Sequence, residues 1–301
     1  MGKRDRDKKI RHHANLHLKN TKKTAAELGA SIGLEERITW WLADDGRQLE
    51  SAEHKKIMPV LGLNESDMPE VLVHDFRANG YLPEVMLNFL ALLGWSAGGD
   101  KERMTVEEMI SLFSLDRIGQ ANAKFNREKL LAFNTEACAA APESRLLAAM
   151  RDFLSVNPQS PLNNATDEEL TRILKMNAGM RILREVEEKS RFLLIPDDQI
   201  EYAPDAIEKV LRKNDSQGLK ALTEIRGILE QATDWSAHAL EEAVKKFCET
   251  TSLGLGKVAQ PIRVAVSGSA VSPPIFDTLA FLGRDRTLRR INRCIEKCRT
   301  L

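Results

Sequence analysis

The residues with the most evident chemistry stand at the start of the chain. The opening MGKRDRDKKIRHH is dense in cations, and from Met1 to Lys23 nine Lys or Arg stand against two Asp, a local charge of +7 before any histidine is counted. Two roles suit such a block: a solvated helix face, or a surface for a phosphate-rich partner. His12, His13 and His17 punctuate it. Without a fourth nearby ligand they make a poor zinc shell and read as solvated or phosphate-facing. Cys294 and Cys298 share a helical spacing but also lack two further ligands. With Cys138 and Cys248 they read as free thiols of a reducing cytoplasm, and no metal site is expected.

Other candidate chemistry is thinner. Adjacent glutamates recur, but acid–base catalysis needs carboxylates that converge in a cleft, and no such pairing is visible. No serine elbow and no Cys–His arrangement stands out. The glycine-containing stretches SAGGDKE and TTSLGLGKVAQ follow no strand and read as helix stops, not phosphate loops. Trp40 and Trp41, adjacent on a helix, cannot both face one core; they read as an inter-helix seam, with a surface platform as the alternative.

The elements that must carry these residues are helical. At 301 residues and 43% hydrophobic, the chain is long and apolar enough for several packed domains. Its formal net charge is zero, so overall charge singles out no partner. No apolar run approaches the roughly 18 residues of a membrane span. Thr24 followed by Glu27, and Thr105 followed by Glu108, are capping-box starts. Val106, Met109, Ile110 and Phe113 recur at helical spacing, and EVMLNFLALLGW is apolar nearly all round, as in a helix buried on most sides. NPQSPLNNATD and IPDDQIEYAPD read as linkers. QPIRVAVSGSAVSPPIF alone has the β-branched alternation of a strand, and is expected to form an extended segment or small ribbon. The pattern predicts an all-α chain with at most one short β ribbon and no nucleotide-binding parallel sheet.

Three ordered blocks carry a family resemblance: FRANGYLPEVMLNFLALLGWS, TVEEMISLFSLDRIGQANAKFNREKLLAFN, and GKVAQPIRVAVSGSAVSPPIFDTLAFLGRDRTLRRI. Together they resemble the C-terminal portion of bacterial-type glutamyl-tRNA synthetases, class I enzymes that activate glutamate with ATP and Mg2+ and transfer it to tRNA. The related glutaminyl enzymes of most bacteria end in β-barrels, which the helical pattern disfavours. The resemblance implies a KMSKS-like loop and basic segment at 1–23, a helical insertion at 24–72, and a stem-contact helical domain at 73–150. Two helical-bundle anticodon-binding subdomains follow, at 151–200 and 201–301. Met1-Gly2-Lys3-Arg4 matches the mobile ATP loop, with Lys3 in the place of the lysine whose ammonium offsets charge on the leaving pyrophosphate. Gly2 stands where the family has serine, and the lysine that should precede the methionine is absent. About seventy residues separate this loop from VHDFRANGYLP, where the family has only a few.

The resemblance therefore makes Met1 a cut edge. The sheet domain, its His-Ile-Gly-His-type signature and the glutamate pocket are expected upstream, so residues 1–301 alone should not activate glutamate. Partners implied are tRNA for glutamate, with tRNA for glutamine left open, and a cytoplasmic monomer is expected. Arg181, Arg184, Arg263, Arg289 and Arg290 are the candidate tRNA contacts, because guanidinium forks suit phosphates and base edges. The competing fate of each is an ion pair with a helix-surface glutamate. The competing reading of the whole is a free-standing, non-catalytic tRNA-binding or scaffold protein.

Overall fold

Helix starts follow the chemistry of the residues that precede them. Thr24, Thr105 and Thr166 each accept a hydrogen bond from the backbone N–H three residues on, while Glu27, Glu108 and Glu169 reach back to the capping residue's own N–H. Each reciprocal pair satisfies donors that a helix cannot satisfy internally. The computed structural model describes residues 3–63, 72–119 and 125–300. Among them helices dominate, and the one strand-like pairing is an isolated antiparallel bridge between Trp95 and Ile118. The chain divides between Arg127 and Glu128 into two compact units.

The first unit holds α1 (Lys3–Thr21), α2 (Ala25–Ala30), α3 (Glu35–Leu42), α4 (Ser51–Ile57), α5 (Val73–Asn79), α6 (Pro83–Ala91) and α7 (Val106–Leu112). The first four close over Ile10, Ala14, Leu28, Ile38, Trp41, Leu49 and Ile57. The two tryptophans divide: Trp41 is fully buried, whereas Trp40 is 39% exposed, with the Arg37 and Arg47 guanidiniums 4.2 and 5.0 Å from its ring centroid. A smaller core gathers Trp95, Ala97, Met104 and Met109. Here the apolar pattern overstates burial. Val85, Met86 and Phe89 of α6 go inward, but Leu87 and Leu90 are exposed, as are Ile110 and Phe113. Within this unit α6 and α7 each bury one side only.

The second unit begins with α8 (Arg127–Ala140), α9 (Glu143–Ser155), α10 (Asp167–Met176) and α11 (Leu183–Ser190). α12 (Pro204–Ala206) runs into a π-turn over Ile207–Arg212, then α13 (Lys213–Gln231), α14 (Ala237–Thr251), α15 (Leu255–Ser267) and α16 (Ile275–Thr300). Asn214, Asp215 and Ser216 adopt left-handed backbone between the π-turn and the regular part of α13. α13, α14, α15 and α16 pack on one another.

The expected ribbon in QPIRVAVSGSAVSPPIF is instead the C-terminal half of α15 and the turn after it. Val258, Ile262, Val264, Ala265 and Val266 are all fully buried. Burial of this magnitude overrides the modest helix penalty of β-branched residues, and alternation is lost because almost every face is covered. Pro261 lies inside the helix and leaves one backbone acceptor without its helical donor. α15 stops at Gly268, whose φ of +76° and closeness to Glu201, 1.9 Å from where a Cβ would stand to the carbonyl oxygen, both require glycine.

Candidate nucleic-acid interface

α16 organises the basic surface of the second unit. Arg286, Arg289, Arg290 and Arg293 recur at i, i+3, i+4 and i+7, so one helix face carries four guanidiniums. They meet the segment that joins α11 to α12. Asp197 Oδ1 accepts hydrogen bonds from Arg290 Nε at 2.7 Å and Arg286 Nε at 3.1 Å, and Oδ2 accepts from Arg289 Nε at 3.0 Å. The remaining donors reach backbone carbonyls. Arg290 donates to Val266, Phe192 and Ile195; Arg286 donates to Leu193 and Ile195; Arg293 donates to Ile200. The IPDDQ linker is thus stitched to α16 by guanidinium forks. Burial raises the Asp197 carboxyl, but the Arg290 and Arg289 hydrogen bonds and the nearby positive charge outweigh it and hold the group below the usual carboxylate range.

This geometry sorts the five arginine candidates. Arg290 is fully buried, and its solvent-facing role is corrected: it is a structural arginine whose fork is consumed by Asp197 and three carbonyls. Arg289, one residue earlier, keeps 60% of its side chain in solvent while touching the same carboxylate. It lines a shallow groove with Asp197, Asp198, Asn292, Arg293 and Glu296. Arg263 is half-buried, donates to Ser272 Oγ at 2.9 Å, and has its guanidinium pKa lowered by burial. Arg181 is exposed and pairs with Glu185, the helix-surface pairing weighed against an RNA role. Arg184 lies with its guanidinium 6.0 Å from the Phe153 ring centroid and donates to Asn157 Oδ1 at 3.3 Å. Only Arg289 and Arg290 share a site through Asp197; Arg181 and Arg184 belong to α11 and the turn before it. Arg286 and Arg293 complete the α16 face and were not singled out from sequence. The RTLRRINR spacing is the signal that would have found them.

In the first unit, Met1 and Gly2 lie outside the described residues, and Lys3 opens α1. The inner side of that helix is anchored by Asp7, which is buried. Its carboxylate accepts from Trp41 Nε1 at 2.9 Å, Leu49 N at 2.9 Å and Arg11 Nη2 at 3.2 Å, and meets His54 Nε2 at 3.2 Å. Burial raises this carboxyl, and the bonds from His54, Leu49, Trp41 and Arg11 together hold it below its ordinary value. Arg11 Nη1 also donates to the carbonyls of Trp41 and Asp44, both at 2.7 Å. α1 is therefore fixed to the segment 41–54 by charge-assisted hydrogen bonds.

Comparison with known proteins decides what these units belong to. Residues 145–295 match the family described as anticodon binding domain, and residues 68–132 match the catalytic domain of class I tRNA synthetases of the E and Q type. Glutamate–tRNA ligase 1 of Alkalilimnicola ehrlichii is 35% identical over 298 residues, covering 97% of this chain and 58% of that protein. The chain belongs to the glutamate–tRNA ligase family. A second ligase of this family, from Thermodesulfovibrio yellowstonii, is 36% identical over 226 residues, covering 74% of this chain and 47% of its own length. The chain thus spans about half the length of the glutamate–tRNA ligases it matches. A solved glutamate–tRNA ligase from Elizabethkingia meningosepticum shares the fold, with a TM-score of 0.62 at 23% identity over 83% of this chain and 48% of its own. The all-α architecture expected from the sequence is that of the C-terminal portion of this family, and no β-barrel is formed among the described residues.

Proposed function

We propose that this chain supplies the tRNA-holding part of a ligase that joins glutamate to tRNA at the expense of ATP. The observation that carries this reading is the match of residues 145–295 to an anticodon-binding domain, over an all-helical unit whose last helix presents a row of arginines. In this reading the stem of the tRNA is contacted by residues 73–150. The anticodon is held by residues 151–301, with Arg289, Arg181, Arg184 and Arg263 as the candidate contacts. Lys3 serves the nucleotide: an ammonium placed by the leaving pyrophosphate stabilises charge that grows in the transition state. Mg2+ would accompany ATP as part of the substrate. Among the described residues no group of three His, Cys, Asp or Glu side chains is placed to hold a metal ion. No helix among the described residues is long and apolar enough to cross a membrane.

The test uses the purified 301-residue chain. It should bind tRNA for glutamate with an affinity that falls steeply with salt, as phosphate contacts require. It should give no glutamate-dependent exchange of pyrophosphate into ATP. Absence of tRNA binding at low salt would refute the tRNA-holding role. Vigorous exchange by this chain alone would refute the division of labour.

A further inference from the structure

We infer that the outer face of α1 is a docking surface for the phosphate backbone of the tRNA acceptor stem. The inference rests on the reading of this chain as part of a tRNA ligase.

The structure separates the basic letters of the opening block into two sets. Arg6 and Arg11 turn inward and are buried, as are Asp7, Ile10 and Ala14 on the same side of the helix. Lys8, Lys9, His12, Asn15, Leu16 and Lys19 are exposed, and at 100° per residue Lys8, His12, Leu16 and Lys19 fall within one outward stripe. Lys22 and Lys23, just past the helix end, are exposed too. No Asp or Glu occurs between Lys8 and Lys23. Among the described residues no carboxylate lies within ion-pair distance of Lys8, Lys19 or Lys22. Exposed helix faces ordinarily intersperse both signs; from Lys8 to Lys23 this one carries positive charge alone, which suits a polyanion.

Two features favour RNA at the acceptor end. Lys8 and Lys19 are about 17 Å apart along the axis at 1.5 Å per residue, enough to follow several phosphates of one strand. α1 also leads directly out of the Lys3 position. Transfer of activated glutamate requires the tRNA 3′ end beside the nucleotide, so the stem immediately behind that end must pass close to this helix. The buried Asp7–Arg11–Trp41 anchor makes the face a fixed surface rather than a mobile tail.

The experiment measures binding of two RNAs to the 301-residue chain by fluorescence anisotropy across a salt series: a minihelix of acceptor and T arms, and an anticodon stem-loop. Replacing Lys8, Lys19 and Lys22 together by Gln should weaken the minihelix about tenfold or more at low salt. It should also make the log–log salt slope shallower by about 2 to 3, with the stem-loop unaffected. The matching Lys→Arg variant should retain wild-type binding, which separates loss of charge from damage to the fold. The proposal is overturned if the Gln variant leaves minihelix affinity and slope unchanged, or if the unaltered chain binds the stem-loop but not the minihelix. It is also overturned if anionic phosphatidylserine vesicles, and not the minihelix, discriminate the Gln variant from wild type. Failure of both RNAs to bind the unaltered chain would instead remove the tRNA-holding function itself.

Discussion

Replacing Arg290 by Met should cost the second unit about 3–5 kcal/mol, the range for removing one partner of a buried, hydrogen-bonded ion pair. The structure supplies the working. Arg290 is fully buried and donates four hydrogen bonds, to the Asp197 carboxylate and to the carbonyls of Val266, Phe192 and Ile195. Arg286 also reaches Ile195 and Asp197, so those two keep a partner. Val266 loses its buried donor, at about 1–3 kcal/mol for an acceptor left unsatisfied, whereas the Phe192 carbonyl still accepts from the Ile195 N–H at 3.3 Å. Relief of the guanidinium's desolvation offsets part of this, because methionine carries no charge to bury. Arg289→Ala, one residue away, removes a side chain that is 60% exposed, and about 1 kcal/mol or less is expected. Urea denaturation followed by circular dichroism, with the Trp235 emission reporting on the second unit, reads both. Equal midpoints for the two variants, or a loss below about 1 kcal/mol for Arg290→Met, would refute the division into a structural and a solvent-facing arginine.

Three further outcomes follow from the same contacts. Asp7→Asn should destabilise the first unit by about 3–5 kcal/mol, because Arg11 loses its buried carboxylate partner; near-UV circular dichroism of the buried Trp41 checks it. Gly268→Ala should lower the melting temperature, since a Cβ would stand 1.9 Å from the Glu201 carbonyl oxygen on a left-handed backbone that costs about 1–2 kcal/mol by itself. Asp7 and Asp197 both titrate below their ordinary range when folded, so their stabilisation is complete above about pH 5 and is lost as pH falls through about 4 towards the folded values. Urea midpoints should therefore drop between pH 5 and 3, and the drop should be smaller in Asp7→Asn.

Local signals in the sequence were read well because they are settled within four residues. The Thr–Glu capping boxes at Thr24 and Thr105, and Pro83 in the first turn of α6, all depend on near neighbours. Burial is decided at longer range, and there the pattern failed in both directions. Val264, Ala265 and Val266 looked like a strand because β-branched residues cluster there, yet α15 is covered on nearly every side. Ile110 and Phe113 looked like core, yet their unit leaves that side of α7 open. Arg289 and Arg290 are indistinguishable by type and both reach Asp197, more than 90 positions away, yet a helical rotation of one residue leaves the first 60% exposed and buries the second completely. Likewise the anchor at Asp7 joins residues up to 47 apart, and nothing in the basic opening block marks its aspartate as buried.

The most direct measurement compares the binding of two transcripts to the 301-residue chain: tRNA for glutamate, and the same tRNA with its anticodon loop replaced. If residues 151–301 hold the anticodon, the replacement should weaken binding by about tenfold or more at moderate salt, as loss of single-stranded base contacts in a recognised loop requires. Equal affinity for the two transcripts, with equal salt slopes, would contradict the assignment of this helical unit to anticodon recognition.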